Sequence, residues 1–401
     1  MSLTSTPRTL NSSRAITVAA NAAFMPIGIV TVLLGPMLPM LSSRWSLNYA
    51  QAGRLFSVQL LASTVAVTIS GVMVSRWGFR LTIAAGLFAM AAGVGALPFC
   101  TYFPGLICIA AYGFGSGLAV PTANLVVAHI NSYRRSAALN LLNFFWSLGA
   151  VACPFLVAAA TALYQIKFFL VMVSTFLLVA LAGLAVIPFT EVAPSQSVRD
   201  GKRFVFDYFR RPVFLLLAGI FFLYIGTEVG FGGWITTSAK SLSNLPSALP
   251  VIAPSFFYGT LMMGRWLASR ILRRIQEITW ARIGLLIAGI GMAGMIRTSS
   301  MAGVIVFAII AGFGLSSVYP IAMSLLSVQF GRAAPQVGSV LFTLAHMGGA
   351  FLPWLVGYCS KQFANPKVGL AVPLASAMLM YGLYRAAPIA SSVEPKVQIE
   401  G

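Results

Sequence analysis

Apolar residues run along this chain in long, nearly unbroken stretches, without the spacing of an amphipathic surface helix. A bilayer core of about 30 Å takes roughly 20 residues of helix to cross. On that measure the pattern predicts twelve spans, at 15–41, 50–74, 81–100, 106–130, 137–163, 168–189, 213–238, 251–272, 278–296, 301–328, 337–359 and 368–384. The first polar residues could pass for the start of a signal peptide. The apolar run behind them is too long for one, so it reads as an uncleaved first helix. The predicted fold is an all-α membrane protein, and a composition of 59% hydrophobic and 8% charged residues agrees with it.

Polar positions divide the chain in two. The longest polar stretch, "TEVAPSQSVRDGKRFVFDYFRRP", separates six spans from six, giving an N-terminal bundle at 1–190, a linker at 191–212 and a C-terminal bundle at 213–401. An internal repeat supports the division: "GFGSGLAVP" at 113–121 matches "GFGLSSVYP" at 312–320 with an offset of 199. "LGAVACP" in the next span likewise answers "GGAFLP", pairing Gly149 and Ala150 with Gly349 and Ala350. Two homologous six-helix bundles place a substrate site near mid-membrane, between the repeats.

The net charge of +19 raises nucleic acid as a partner, and its distribution argues against that. With both termini cytoplasmic, about 18 Lys and Arg fall on that side and about 7 on the other, the bias that orients membrane proteins. A multi-pass protein of the cell (inner) membrane is expected, monomeric, its basic loops facing anionic lipid. Cys100, Cys108, Cys153 and Cys359 form no CxxC pair and are expected as buried free thiols. A bridge between Cys100 and Cys108 is the conceivable exception.

At the junction of the second and third spans stands "GVMVSRWGFR". It resembles the signature loop of the major facilitator superfamily, with Gly71, Arg76, Gly78 and Arg80 in matching places and Ser75 where that family has Asp. The stretches "NSYRRSAALNLLNFFWSLGAVACPFL" and "YIGTEVGFGGWITTSA" resemble the fucose:proton symporter branch. The resemblance implies the twelve-helix transporter fold, alternating access by two rocking bundles, a gating role for the loop and a sugar-like substrate. The carboxylates that this branch carries in its first and fourth helices are replaced here by Asn21 and Asn124.

One acid breaks the apolar pattern in depth. In "FLYIGTEVGFGGW", Glu228 lies roughly 22 Å from the linker end of its span at 1.5 Å per residue. An ionised group so deep costs about 2.5–3.5 kcal/mol on insertion scales, so it is expected to face the bundle interior and to have a function. Burial without a partner favours the neutral acid, which suits a proton carrier. The competing reading is a structural ion pair with Arg265, the basic residue that lies inside a neighbouring span. A depth difference of about 10 Å at the helical rise tips the balance towards proton coupling.

A sugar site needs amides and flat aromatic faces in an otherwise apolar cavity. The candidates at mid-depth are Asn21, Gln59, Asn124, Asn143, Trp146, Trp234, Tyr258, Tyr319 and His346. "GIGMAG" at 289–294 lies inside a span with no strand before it, so it is not a dinucleotide loop. Asn11 stands in a glycosylation pattern, but on the cytoplasmic side of the expected topology. No nucleophile and base, metal cluster or phosphate loop is present in the sequence, so an enzyme, a cofactor and a metal are not expected. The leading function is a proton-driven carrier of a small neutral polar solute, a sugar or polyol. The alternatives are an uncoupled facilitator and, from the Met- and Phe-rich spans, a proton-driven exporter of lipophilic compounds. A non-transporting sensor would need long soluble appendages.

Overall fold

The computed structural model describes residues 7–131, 135–186, 210–242, 248–271 and 275–386. Among them there is no strand. The first half comprises α1 (Pro7–Val32), α2 (Leu34–Arg44), α3 (Tyr49–Ala96), α4 (Tyr102–Ile130), α5 (Arg135–Ala162) and α6 (Ile166–Val186). The second comprises α7 (Pro212–Lys240), α8 (Ala248–Ile271), α9 (Glu277–Arg297), α10 (Met301–Leu315), α11 (Val318–Phe330), α12 (Ala334–Gln362), α13 (Pro366–Gly369) and α14 (Ala371–Ala386). Residues 191–209 of the expected linker and Asn11's side chain lie outside what is described.

Ten stretches are long and apolar enough to cross a membrane among the described residues. One of them, Tyr49–Phe99, is twice the needed length and makes two crossings. Ala248–Ile271, a helix of 24 residues interrupted by Arg265, supplies the remaining crossing and brings the arrangement to the twelve expected. Large side chains such as Phe103, Ile107, Phe168 and Phe176 sit on the outside, where a water-soluble protein would place polar groups and a bilayer accepts them.

Three boundaries differ from the sequence expectation, each for a local reason. The second and third spans form one helix, α3, broken only at Gly78 with φ 79° and ψ 170°. That conformation is essentially restricted to glycine, so Gly78 is the bend that turns the chain back through the bilayer. The first span begins at Pro7 and divides after Val32, because Pro36 has no N–H for the Val32 carbonyl. The tenth divides between α10 and α11, where Pro320 leaves the Ser316 carbonyl without its helical donor. Its counterpart Pro121 sits inside α4 without dividing it.

Packing follows the repeat. A Cβ on Gly113 would overlap the Gln59 carbonyl oxygen, and one on Gly312 would overlap that of Phe257. Gly149 seats against the Met25 carbonyl of α1, and the residue that does the same on α7, against Phe222, is Gly348. The structural partner of Gly149 is therefore Gly348, one position before the Gly349 expected from the Gly-Ala match. The prolines Pro154 and Pro353 carry the true offset of 199.

Gly71 and Gly78 test the bend. Nothing lies within 4 Å of a Cβ at either, so only backbone conformation separates them. We expect Gly78→Ala to destabilise by about 1–3 kcal/mol and Gly71→Ala, in regular helix, to be neutral or stabilising by about 0.5–1 kcal/mol. Thermal unfolding midpoints in detergent would check the opposite signs.

Candidate functional site

The two halves meet along a seam of small and aromatic residues. A Cβ on Gly35 would come 3.0 Å from Gly233 Cα, and one on Gly53 would come 3.0 Å from Trp354 Cα. Ser57 Oγ donates to the Ala350 carbonyl at 2.8 Å, and Ser255 Oγ donates to the Val151 carbonyl at 2.8 Å. The Trp234 indole lies 6.3 Å from the Tyr49 ring and 6.5 Å from the Phe56 ring, centroid to centroid. Phe155 and Phe256 add a further edge contact across the halves. All of these contacts lie between mid-membrane and the face remote from the termini. Among the described residues, none of these contacts joins the halves on the terminus side.

Glu228 sits on α7 below this seam, 8% exposed. Its Oε2 is 3.8 Å from Arg265 Nη2 of α8. The same nitrogen donates to the Tyr224 hydroxyl at 3.3 Å. The expected separation in depth is overcome because Arg265 approaches from the terminus side and Tyr224, one helical turn below Glu228, meets it on the way. At 3.8 Å the ion pair is well outside the 2.7–2.9 Å of a charge-assisted hydrogen bond. Thus the sequence reading that favoured an unpartnered carboxyl is corrected to a loose ion pair shared with a phenol. Tyr258 of α8 and Tyr319 of α11 lie within electrostatic reach of Glu228. Tyr319 lies tilted against Tyr224 at 5.5 Å and meets Phe221 edge-on at 5.6 Å, centroid to centroid. Arg265 Nε is buried and has no hydrogen-bond partner among the described residues.

The remaining candidates separate into three groups. Asn124 and Asn143 come together across α4 and α5, with Asn143 Nδ2 3.4 Å from Asn124 Oδ1. Each also donates to its own helix, to the carbonyls of Val120 and Leu139. Asn21 is buried on α1 and its Oδ1 has no partner among the described residues. Two residues are committed to packing in this state. Gln59 donates to the Thr31 carbonyl at 3.1 Å, and Trp234, wholly buried, gives its indole N–H to the Pro353 carbonyl at 3.1 Å. Trp146 contributes backbone to the contact with Gly28, and His346 holds its Nδ1 2.8 Å from the Phe342 carbonyl of its own helix.

In the loop at Gly78, Arg76 is exposed and Arg80 lies against Trp77, Leu81 and Leu184 in a surface groove of about 210 Å³. Ser75 turns its hydroxyl back to the Val72 carbonyl at 2.8 Å. The carboxylate that the resembled loop carries at this position is absent, and the Ser75 hydroxyl is spent on its own helix. Among the described residues no group of His, Cys, Asp and Glu is placed to hold a metal ion. Tyr224 was missed by the sequence reading. Its signal was there: it precedes Glu228 by four residues, hence on the same helix face.

A family model described as Major Facilitator Superfamily matches residues 19–353. A putative glucose/galactose transporter of Helicobacter pylori is 24% identical over 389 residues, covering 90% of this chain and 92% of that protein. Among solved structures, the nucleoside transporter NupG superposes with a TM-score of 0.77 at 12% identity, covering 94% of this chain and 99% of that one. The transporter FucP in its outward conformation gives a TM-score of 0.65 at 17% identity, covering 93% and 99%. At such identities the structural likeness speaks for the fold alone.

Proposed function

Because the chain belongs to the Major Facilitator Superfamily, and is thus a multi-pass membrane transporter and not an enzyme, we propose that it carries a sugar by alternating access with protons coupled through Glu228. The observation that carries this reading is the carboxyl of Glu228, buried beneath the seam and held by Arg265 at 3.8 Å instead of in a tight hydrogen-bonded pair. A loose pair is one that a proton can open: the neutral acid releases the guanidinium, and Tyr224 retains it. Relatives named as glucose/galactose transporters support the sugar. So do two unspent buried atoms, the Asn21 Oδ1 acceptor in the first half and the Arg265 Nε donor in the second, which suit a solute with many hydroxyls. Asn124, Asn143, Trp146, Tyr258, Tyr319 and His346 line the proposed path, while Gln59 and Trp234 reach solute only when the seam parts. The gating loop around Gly71, Arg76, Gly78 and Arg80 moves with the first bundle.

With the termini in the cytoplasm of the inner membrane, as the charge bias favours, halves that meet on the remote side correspond to an inward-open carrier. In proteoliposomes we expect radiolabelled glucose or galactose to accumulate against its gradient when the outside is made acid, and to stop accumulating when a protonophore removes the pH difference. Sugar entry that is indifferent to the imposed gradient would refute coupling. It would favour the second reading, an uncoupled facilitator, for which Asn21 and Asn124 in place of carboxylates are the specific support.

Tyr224 provides a finer test. Tyr224→Phe removes the hydroxyl that restrains Arg265 and allows a closer ion pair with Glu228. The shared hydroxyl that links the cation to the acid is then gone, and we expect uphill uptake to fall while exchange of labelled for unlabelled sugar persists.

A further inference from the structure

The ends of α3 and α4 at the face remote from the termini bring two thiols together. Cys100 Sγ lies 3.5 Å from Cys108 Sγ. The approach has a structural cause: Gly93 lacks a side chain where α4 crosses α3, and a Cβ there would overlap the Cys108 carbonyl oxygen. Cys100 is half-buried beside the exposed Phe99, whereas Cys108 is buried. The connection between them is braced from α2, because the Trp45 ring occupies the space that a Cβ on Gly105 would fill and meets Tyr102 edge-on at 5.9 Å. Cys153 is wholly buried on α5 and has no sulfur partner among the described residues.

We propose that Cys100 and Cys108 are a disulfide-forming pair, a redox modification site that fastens the α3–α4 connection on which Trp45 rests. The more exposed Cys100 gives up its proton and attacks one sulfur of an external disulfide, such as oxidised glutathione, releasing one thiol. Cys108 then loses its proton and attacks the Cys100 sulfur, forming the internal bond and releasing the second thiol. Two electrons pass to the external disulfide, and the two protons leave on its two thiol products. An oxidising compartment outside the membrane would supply such a reagent.

Purified full-length protein in liposomes, treated with oxidised glutathione and then denatured in excess maleimide, reads the outcome by intact mass. Four cysteines are present, so four adducts are expected after reduction and two fewer after oxidation. Cleavage after Tyr102 should leave the pieces bearing Cys100 and Cys108 joined until a reductant is added. Cys108→Ser should retain a glutathione on Cys100, because the second thiol that expels it is gone. The proposal is overturned if the oxidised wild type still takes four adducts, or keeps glutathione on Cys100 with Cys108 free.

Discussion

Glu228→Gln is expected to abolish uphill sugar uptake, bringing the inside-to-outside ratio under an acid-outside gradient from well above one to about one. Glutamine keeps the shape of the neutral acid and its hydrogen-bonding capacity but cannot ionise. It therefore imitates the proton-loaded state permanently. Exchange of labelled for unlabelled sugar needs no net proton movement and should persist. The result discriminates sharply because removing one member of a buried ion pair ordinarily destabilises by about 3–5 kcal/mol through the abandoned charge. Here Arg265 keeps Tyr224, at 3.3 Å, so the melting temperature should fall far less than that penalty implies. Arg265→Gln leaves an unpaired carboxylate and should cost more stability than Glu228→Gln. Counterflow and thermal melts on both variants check the two parts separately. A Glu228→Gln protein that still concentrates sugar under the pH gradient would remove Glu228 from the coupling.

The second large effect belongs to the seam. Gly53 faces the Trp354 backbone so closely that a Cβ would lie 3.0 Å from its Cα, inside ordinary van der Waals separation. Alanine asks for a shift of a few tenths of an ångström; leucine and tryptophan ask for space that the closed face does not have. Transport should therefore fall in the order Gly53→Ala, Gly53→Leu, Gly53→Trp, with the last reducing uptake by more than about tenfold, the effect of roughly 1.4 kcal/mol on the closing step. Sugar binding should survive, since Gly53 lies outside the proposed path. Uptake rates beside binding isotherms on the three variants would show the dissociation. Equal loss of binding and uptake would instead indicate general misfolding.

Much of this architecture is written in the apolar runs. The spans and the doubled glycine motifs are properties of local sequence, and local sequence is where they were found; at Gly78 it marked the junction but not the bend within one helix. What escaped depends on register between helices. Whether Glu228 meets Arg265 turns on about one helical turn, roughly 5.4 Å, which span boundaries uncertain by a few residues do not resolve. The assignment of Gly349 failed by one position because a Gly-Gly pair offers two equivalent matches, and only contact with Phe222 distinguishes them. Trp234 reads equally well as a wall of the cavity or as its stopper; the choice depends on which way the carrier is open. Tyr224 was overlooked for a different reason. Tyrosine is ordinary in an apolar span, and its importance comes entirely from what the neighbouring helix delivers to it.

Pro121 and Pro320 occupy the same place in the two repeats, yet only the second divides its helix. At the divide, Ser317 receives the Trp280 indole N–H at 3.0 Å, a tether from α9. An inherited duplication has thus given one twin a stiff rod and the other a knuckle. The asymmetry is local: of these two repeat-related helices, the one in the half that holds the acid and its guanidinium is jointed and its twin is not.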